Sequence, residues 1–123
     1  MANPILTWFE IPALDVARAA AFYRNVLQRK IEVQDLGGVL HAFFEFSEEY
    51  TCGAIVKEEG LKPSKEGVLL YFNCNNEMEA HLARVVEAGG VIEQDKRLIS
   101  PEIGYLSTFI DTEGNRMAFF SRA

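Results

Sequence analysis

Ile5-Leu-Thr-Trp-Phe-Glu-Ile11 runs into Asp15-Val-Ala-Arg-Ala-Ala-Ala-Phe-Tyr23, and 62 residues on, Val68-Leu-Leu-Tyr-Phe-Asn73 runs into Glu77-Met-Glu-Ala-His-Leu-Ala-Arg84. Each passage reads as a strand followed by a helix that opens on an acidic residue. Internal repetition of this kind is stronger evidence for a fold than any single motif. In the first copy, Ile5 to Ile11 is rich in apolar and β-branched residues, and Pro12 ends its ladder pairing. Asp15 is a helix N-cap, after which Val16, Ala19, Ala20, Tyr23 and Leu27 recur at helical spacing, with Phe22 at the edge of the stripe.

Working outward, Ile31 to Leu36 and Val39 to Phe46 flank Gly37-Gly38 and form a hairpin signal, and Thr51 to Lys57 supplies a fourth strand. The second half restates that order. Strand Val68 to Asn73, helix Glu77 to Ala88 and the Gly89-Gly90 stop lead to strands Val91 to Gln94, Tyr105 to Ile110 and Arg116 to Ser121. Asp111 to Asn115 supplies the last turn, and Gly89 fits the position after a helix, where a positive φ is common. The expected class is α+β: two tandem βαβββ modules, about 4–57 and 67–121, joined by a solvated connection at 58–66, in one domain spanning 1–123.

Composition narrows the function. A net charge of −6 disfavours a nucleic-acid or anionic-membrane partner, and the doublets Arg29-Lys30 and Lys96-Arg97 do not reverse that. No apolar run reaches the roughly 18 residues of a membrane span, and the Met1-to-Ile5 start lacks the basic and apolar regions of a leader. Cys52 and Cys74 lack CxxC spacing and read as reduced, buried thiols. These features point to a cytoplasmic protein with a small-molecule partner.

Several elements carry a resemblance to a known family. They are Asp15 followed by Phe22-Tyr23-Arg24-Asn25-Val26-Leu27, a helix ending at Ala88-Gly89-Gly90, and Asp111-Thr-Glu-Gly-Asn115 before the last strand. Together they resemble the vicinal oxygen chelate superfamily, which includes glyoxalases, bleomycin-resistance proteins and extradiol dioxygenases. Gln28 departs from that pattern where glycine commonly follows the leucine, and Thr112 where proline commonly follows the aspartate. The resemblance implies an open, cup-shaped mixed sheet, commonly paired as a homodimer. It also implies a divalent metal held in the cup by side chains on the first and last strands of each module.

The positions to which those ligands carry over are Trp8, Val56, Leu70 and Ala118, none of which coordinates such a cation. A slip of one residue offers Thr7, Tyr71 and Met117, which do not restore a metal site. The expected protein is therefore metal-free and without a cofactor, binding a small aromatic or amphiphilic molecule. The alternative is a glyoxalase- or dioxygenase-type enzyme using a relocated metal or an acid–base site built from Glu10, His41 and Glu45.

Strand alternation then sorts side chains between the two faces. Trp8 and Glu10 are expected in the cup, with Phe9 and Ile11 toward the helices. Leu40, Ala42, Phe44 and Phe46 are assigned to the helical layer, which leaves His41, Phe43 and Glu45 for the cup. By the same offset, the cup gains Tyr105, Ser107 and Phe109, joined by Leu70, Phe72, Arg116, Ala118 and Phe120. His41 and Glu45 lie roughly 13 Å apart along a strand, too far for a direct pair. The simplest reading of Arg116 is a salt bridge near Asp111 or Glu113, and of His81 a solvated or interface residue.

Overall fold

The order of elements in the computed structural model, which describes residues 3–123, repeats once along the chain. The first module contains β1 (Trp8–Pro12), α1 (Val16–Leu27), β2 (Ile31–Leu36), β3 (Val39–Phe44) and β4 (Cys52–Lys57). The second contains β5 (Tyr71–Asn73), α2 (Met78–Glu87), β6 (Val91–Ser100), β7 (Gly104–Ile110) and β8 (Arg116–Ser121). Each half is βαβββ, and the helices begin 62 residues apart, at Val16 and Met78. The leader reading begins on Met1 and Ala2, which lie outside the described residues.

Each module builds its own four-stranded mixed sheet, ordered β1-β4-β3-β2 and β5-β8-β7-β6. The first strand of each module pairs in parallel with the last, and the other pairings are antiparallel. The sheets are open and meet through the helices and aromatic side chains between them. Tyr23 on α1 packs edge-on against Phe44 and tilted against Phe72, at 5.8 and 5.7 Å, and Phe22 reaches Phe109 at 6.1 Å. One core therefore runs through both modules.

Local chemistry explains where the helices start and stop. The Asp15 carboxylate accepts the Arg18 amide at 3.0 Å, satisfying a donor left free at the first turn of α1. Val16, Ala19, Ala20, Phe22, Tyr23 and Val26 are then buried, so the apolar stripe is the packed face. Gln28 closes α1 at φ 55°, a left-handed conformation that costs a residue with a Cβ. Glu77 makes no side-chain cap of α2, so the acidic residues opening the two helices are alike in position but not in role.

Several boundaries differ from those expected. β1 and β5 start at Trp8 and Tyr71, because their parallel partners begin pairing only at Cys52 and Ala118. Ile5 and Val68 are left exposed. β3 ends at Phe44, so Glu45 and Phe46 lie beyond the strand, and both Phe46 and Leu40 are exposed instead of lying under helices. β6 extends to Ser100 because it follows β7 along its whole length through three register shifts.

In β7 the facing expected from a constant offset is reversed. Phe109 is fully buried against Phe119 at 4.7 Å, and Ser107 and Tyr105 share that helix-facing side. Leu106 and Thr108 face outward instead, because Thr108 pairs with Ala118. The β2–β3 and β6–β7 hairpins differ in length and register, so a constant offset between modules does not preserve strand parity, and an odd slip reverses the face.

β5 shows the same effect. Four residues separate β5 from α2 but only three separate β1 from α1, and Asn75 and Asn76 absorb the extra one in left-handed conformations at φ 52° and 60°. Leu70 and Phe72 consequently pack into the core, and Tyr71 takes the open-face side of β5.

Candidate functional site

The open face of the first sheet is built from rows of paired residues. Glu10 lies beside Ala54, Ala54 beside Phe43, and Phe43 beside Glu32, across all four strands. The next row holds Val56, His41 and Gln34, and Trp8 stands beside Cys52 at the strand start. Trp8 lies 6.2 Å from Phe43, and the His41 ring stacks on Phe43 at 5.4 Å with planes only 9° apart. The Trp8 indole N–H reaches the Glu10 carboxylate at 3.4 Å, so both residues project from this face. Trp8 is 42% exposed, a large aromatic left uncovered in a chain whose core is otherwise closed.

The face supports no acid–base pair between His41 and Glu45. The His41 Nδ1 lies 3.0 Å from the Val39 carbonyl and donates to it, while Glu45 sits exposed past the end of β3. Cys52, also on this face, is buried and turned into the Glu45–Tyr50 loop, where its Sγ meets the Ser47 and Tyr50 carbonyls at 3.3 and 3.4 Å. Cys74 is buried too, its thiol donates to the Phe120 carbonyl, and burial pushes its pKa up. Both cysteines are free.

The open face of the second sheet carries Tyr71, Arg116, Ala118 and Phe120, with Thr108 and Glu93 beside them. Arg116 pairs with Glu93 at 2.7 Å, not with Asp111 or Glu113, and Thr108 donates to the same carboxylate at 2.8 Å. These bonds, led by Arg116, hold the Glu93 carboxyl below its usual range. An open cavity of about 700 Å³ lies at the edge of this sheet, where Tyr71 and Phe120 face Asn73, Asn75 and Arg122.

Asp111 and Glu113 serve the joint between modules instead. The Tyr23 hydroxyl donates to Asp111 at 2.7 Å, and burial, reinforced by that carboxylate, pushes the phenol well above its usual pKa. Asn115 donates to the Pro12 carbonyl at 2.7 Å. Glu113 accepts the Leu14 and Asp15 amides at 2.9 and 2.8 Å. Burial would raise the Glu113 pKa, but Arg18 and these amides outweigh it and hold the carboxyl below the usual range. Turn chemistry in Asp111 to Asn115 marked a hairpin, but nothing local indicated that its side chains cross to the other module. His81 is likewise buried, 5.3 Å from Phe119, with Nδ1 donating to the Glu77 carbonyl at 2.8 Å. It lies beneath α2 because it continues the Met78, Leu82 and Val85 stripe.

A metal of the kind the family resemblance implies does not fit this donor set. The outward side chains on the first and last strands include Trp8, Glu10, Ala54 and Val56 in one module and Tyr71, Asn73, Arg116, Ala118 and Phe120 in the other, and the Cys52 thiol is turned into its loop. Among the described residues, no group of three or more His, Cys, Asp and Glu side chains has metal-holding geometry. Among the same residues, no helix is long and apolar enough to cross a membrane.

No protein-family model matches the sequence. A glyoxylase-like domain-containing protein from Didymella fabae is 29% identical over 123 residues, covering 95% of this chain and 93% of that protein. The crystal structure of a glyoxylase/bleomycin resistance protein/dioxygenase domain from Frankia sp. superposes with a TM-score of 0.75 at 13% identity, covering 100% of this chain and 99% of the other. TnmS3, an antibiotic binding protein from a Streptomyces species, superposes with a TM-score of 0.67 at 18% identity, over 100% of this chain and 99% of its own. With two open mixed sheets, paired βαβββ modules and a glyoxalase-like relative along nearly its whole length, the chain has the glyoxalase/bleomycin resistance/dioxygenase fold.

Proposed function

We propose that this protein binds a small aromatic or amphiphilic molecule on its open aromatic faces without a resident metal, and that it does so in the cytoplasm as a homodimer. The observation that carries this reading is the uncovered layer of Trp8, Phe43 and His41, stacked across neighbouring strands. Flat rings at a partly exposed surface offer apolar area with little side-chain entropy to lose. Tyr71 and Phe120 give the second sheet a matching apolar surface beside the buried Ala118. The antibiotic-binding neighbour supports ligand capture on this scaffold. Two free, buried thiols are consistent with a reducing compartment. Open sheet edges favour pairing between copies.

The reading is tested with a panel of small aromatic compounds followed by calorimetry. Saturable binding that is lost in Trp8→Ala, in a variant that melts like the parent, is the expected result. A panel without binders would sink it. One tightly held transition metal per chain, released by His41→Ala, would overturn the metal-free part. A monomer in sedimentation at micromolar concentration would remove the dimer.

A further inference from the structure

We propose that the open face of the first sheet selects an organic cation, a quaternary or protonated amine carried on an aromatic or apolar body. This rests on the ligand-binding reading above and adds the charge of the ligand. The argument begins with one cross-strand row, in which Glu10 and Glu32 stand on either side of Ala54 and Phe43. Three interstrand steps of about 4.8 Å separate the two carboxylate-bearing residues, a span of roughly 14 Å that fits a small ring with an ammonium group.

Ala54 is the smallest side chain in that row and is fully buried, so the accessible part of the row lies at Glu10, Phe43 and Glu32. Trp8 and Phe43 stand beside it, and the parallel His41 ring backs Phe43. An ammonium group beside Glu10 would meet its carboxylate together with the neighbouring Trp8 and Phe43 rings. Ring faces carry negative quadrupole density and attract cations, more strongly as the site dries.

The charge on this face has one sign. The strand residues that share it include Glu10 and Glu32 but no lysine or arginine, and neither carboxylate forms a salt bridge among the described residues. Glu10 carries the larger share, because Glu32 also borders a groove with Arg24, Arg29 and Lys30. The net charge of −6 adds a long-range attraction for cations. An anionic aromatic ligand would meet uncompensated carboxylates at the same place.

The test uses the full chain and three probes that share a phenyl ring: benzyltrimethylammonium, benzyl alcohol and phenylacetate. Trp8 is the only tryptophan, so its fluorescence reports directly on this face. The cation is expected to bind roughly tenfold tighter than either other probe, and to weaken as salt is raised. Glu10→Gln should remove roughly that tenfold for the cation and leave benzyl alcohol unchanged. Equal affinity for all three probes, or no effect of Glu10→Gln, overturns the cation site while aromatic binding stands. If no compound perturbs Trp8 and the calorimetric panel is also silent, both readings fall. A Trp8 emission that is already buried and insensitive to probe, in a stable dimer, overturns the cation site by showing that a second copy covers the face.

Discussion

Glu113 and Arg18, 95 residues apart in the chain, are joined by two hydrogen bonds of 2.8 and 3.0 Å. The carboxylate side chain is fully buried and the guanidinium is half exposed. One residue of the β7–β8 turn thus holds the β1–α1 loop of the other module, by capping two of its backbone amides as well as binding Arg18. The polar joint supplies direction where the surrounding aromatic core supplies only attraction.

Glu113→Ala should therefore cost about 3 kcal/mol, since it strips partners from two part-buried amides as well as from Arg18. Glu113→Gln should cost less, because its amide oxygen still accepts one or both N–H groups. Urea unfolding midpoints check the order, and an Ala variant as stable as the parent would contradict it.

His81 makes stability depend on pH. Burial, ahead of every other influence, lowers its pKa from the ordinary 6.5, while Glu77 opposes the shift and Arg84 adds to it. Below 6.5 the unfolded chain takes up a proton that the folded chain refuses, so stability is complete above that pH and falls as the solution is acidified. Glu113 acts in the same direction in a lower window, starting near its ordinary value of 4.5. Melting temperatures between pH 8 and 5 should decline in the parent, and the decline should flatten in His81→Gln.

Gln28 is expected to be improvable. Its left-handed backbone costs a β-carbon-bearing residue roughly 1–2 kcal/mol, and glycine gives back part of that gain through the entropy of the unfolded chain. Gln28→Gly should leave a net gain of about 0.5 kcal/mol, near 2 °C in melting temperature. Thermal unfolding decides it, and a loss of stability would show that the 2.6 Å bond from the Gln28 side chain to the Asn25 carbonyl outweighs the strain.

Two substitutions to alanine should have opposite signs. The Ser107 hydroxyl is fully buried with no hydrogen-bond partner among the described residues, so Ser107→Ala removes an uncompensated polar group and should stabilise by about 1 kcal/mol. Gly53 lies under Phe9, where an added Cβ would meet the Phe9 carbonyl and stand 2.6 Å from its ring. Gly53→Ala should cost about 2 kcal/mol through overpacking. Measuring both by denaturant unfolding tests the packing of the two sheets independently.

The site was partly legible beforehand. In β1 and β3, alternation placed Trp8, Glu10, His41 and Phe43 on one face, because an unshifted hairpin and a parallel partner keep strand parity intact. It failed for Tyr105, Ser107 and Phe109, and for Leu70 and Phe72, because the spacing and register of the second module differ from those of the first, including two left-handed asparagines before α2. Two of the β6 shifts fall between Ile92 and Arg97, a polar run with no apolar alternation to mark them.

Local physical chemistry written into the chain determined the order of strands and helices, the Asp15 cap, the buried stripes of α1 and α2 and the 62-residue repeat. Each depends on neighbours a few residues away. The tertiary structure alone decided which face of β5 and β7 turns inward, why Arg116 pairs with Glu93, and where Glu113 and His81 go. Those outcomes depend on register and on packing between modules, and no window of sequence contains both partners of a bond that spans 95 residues.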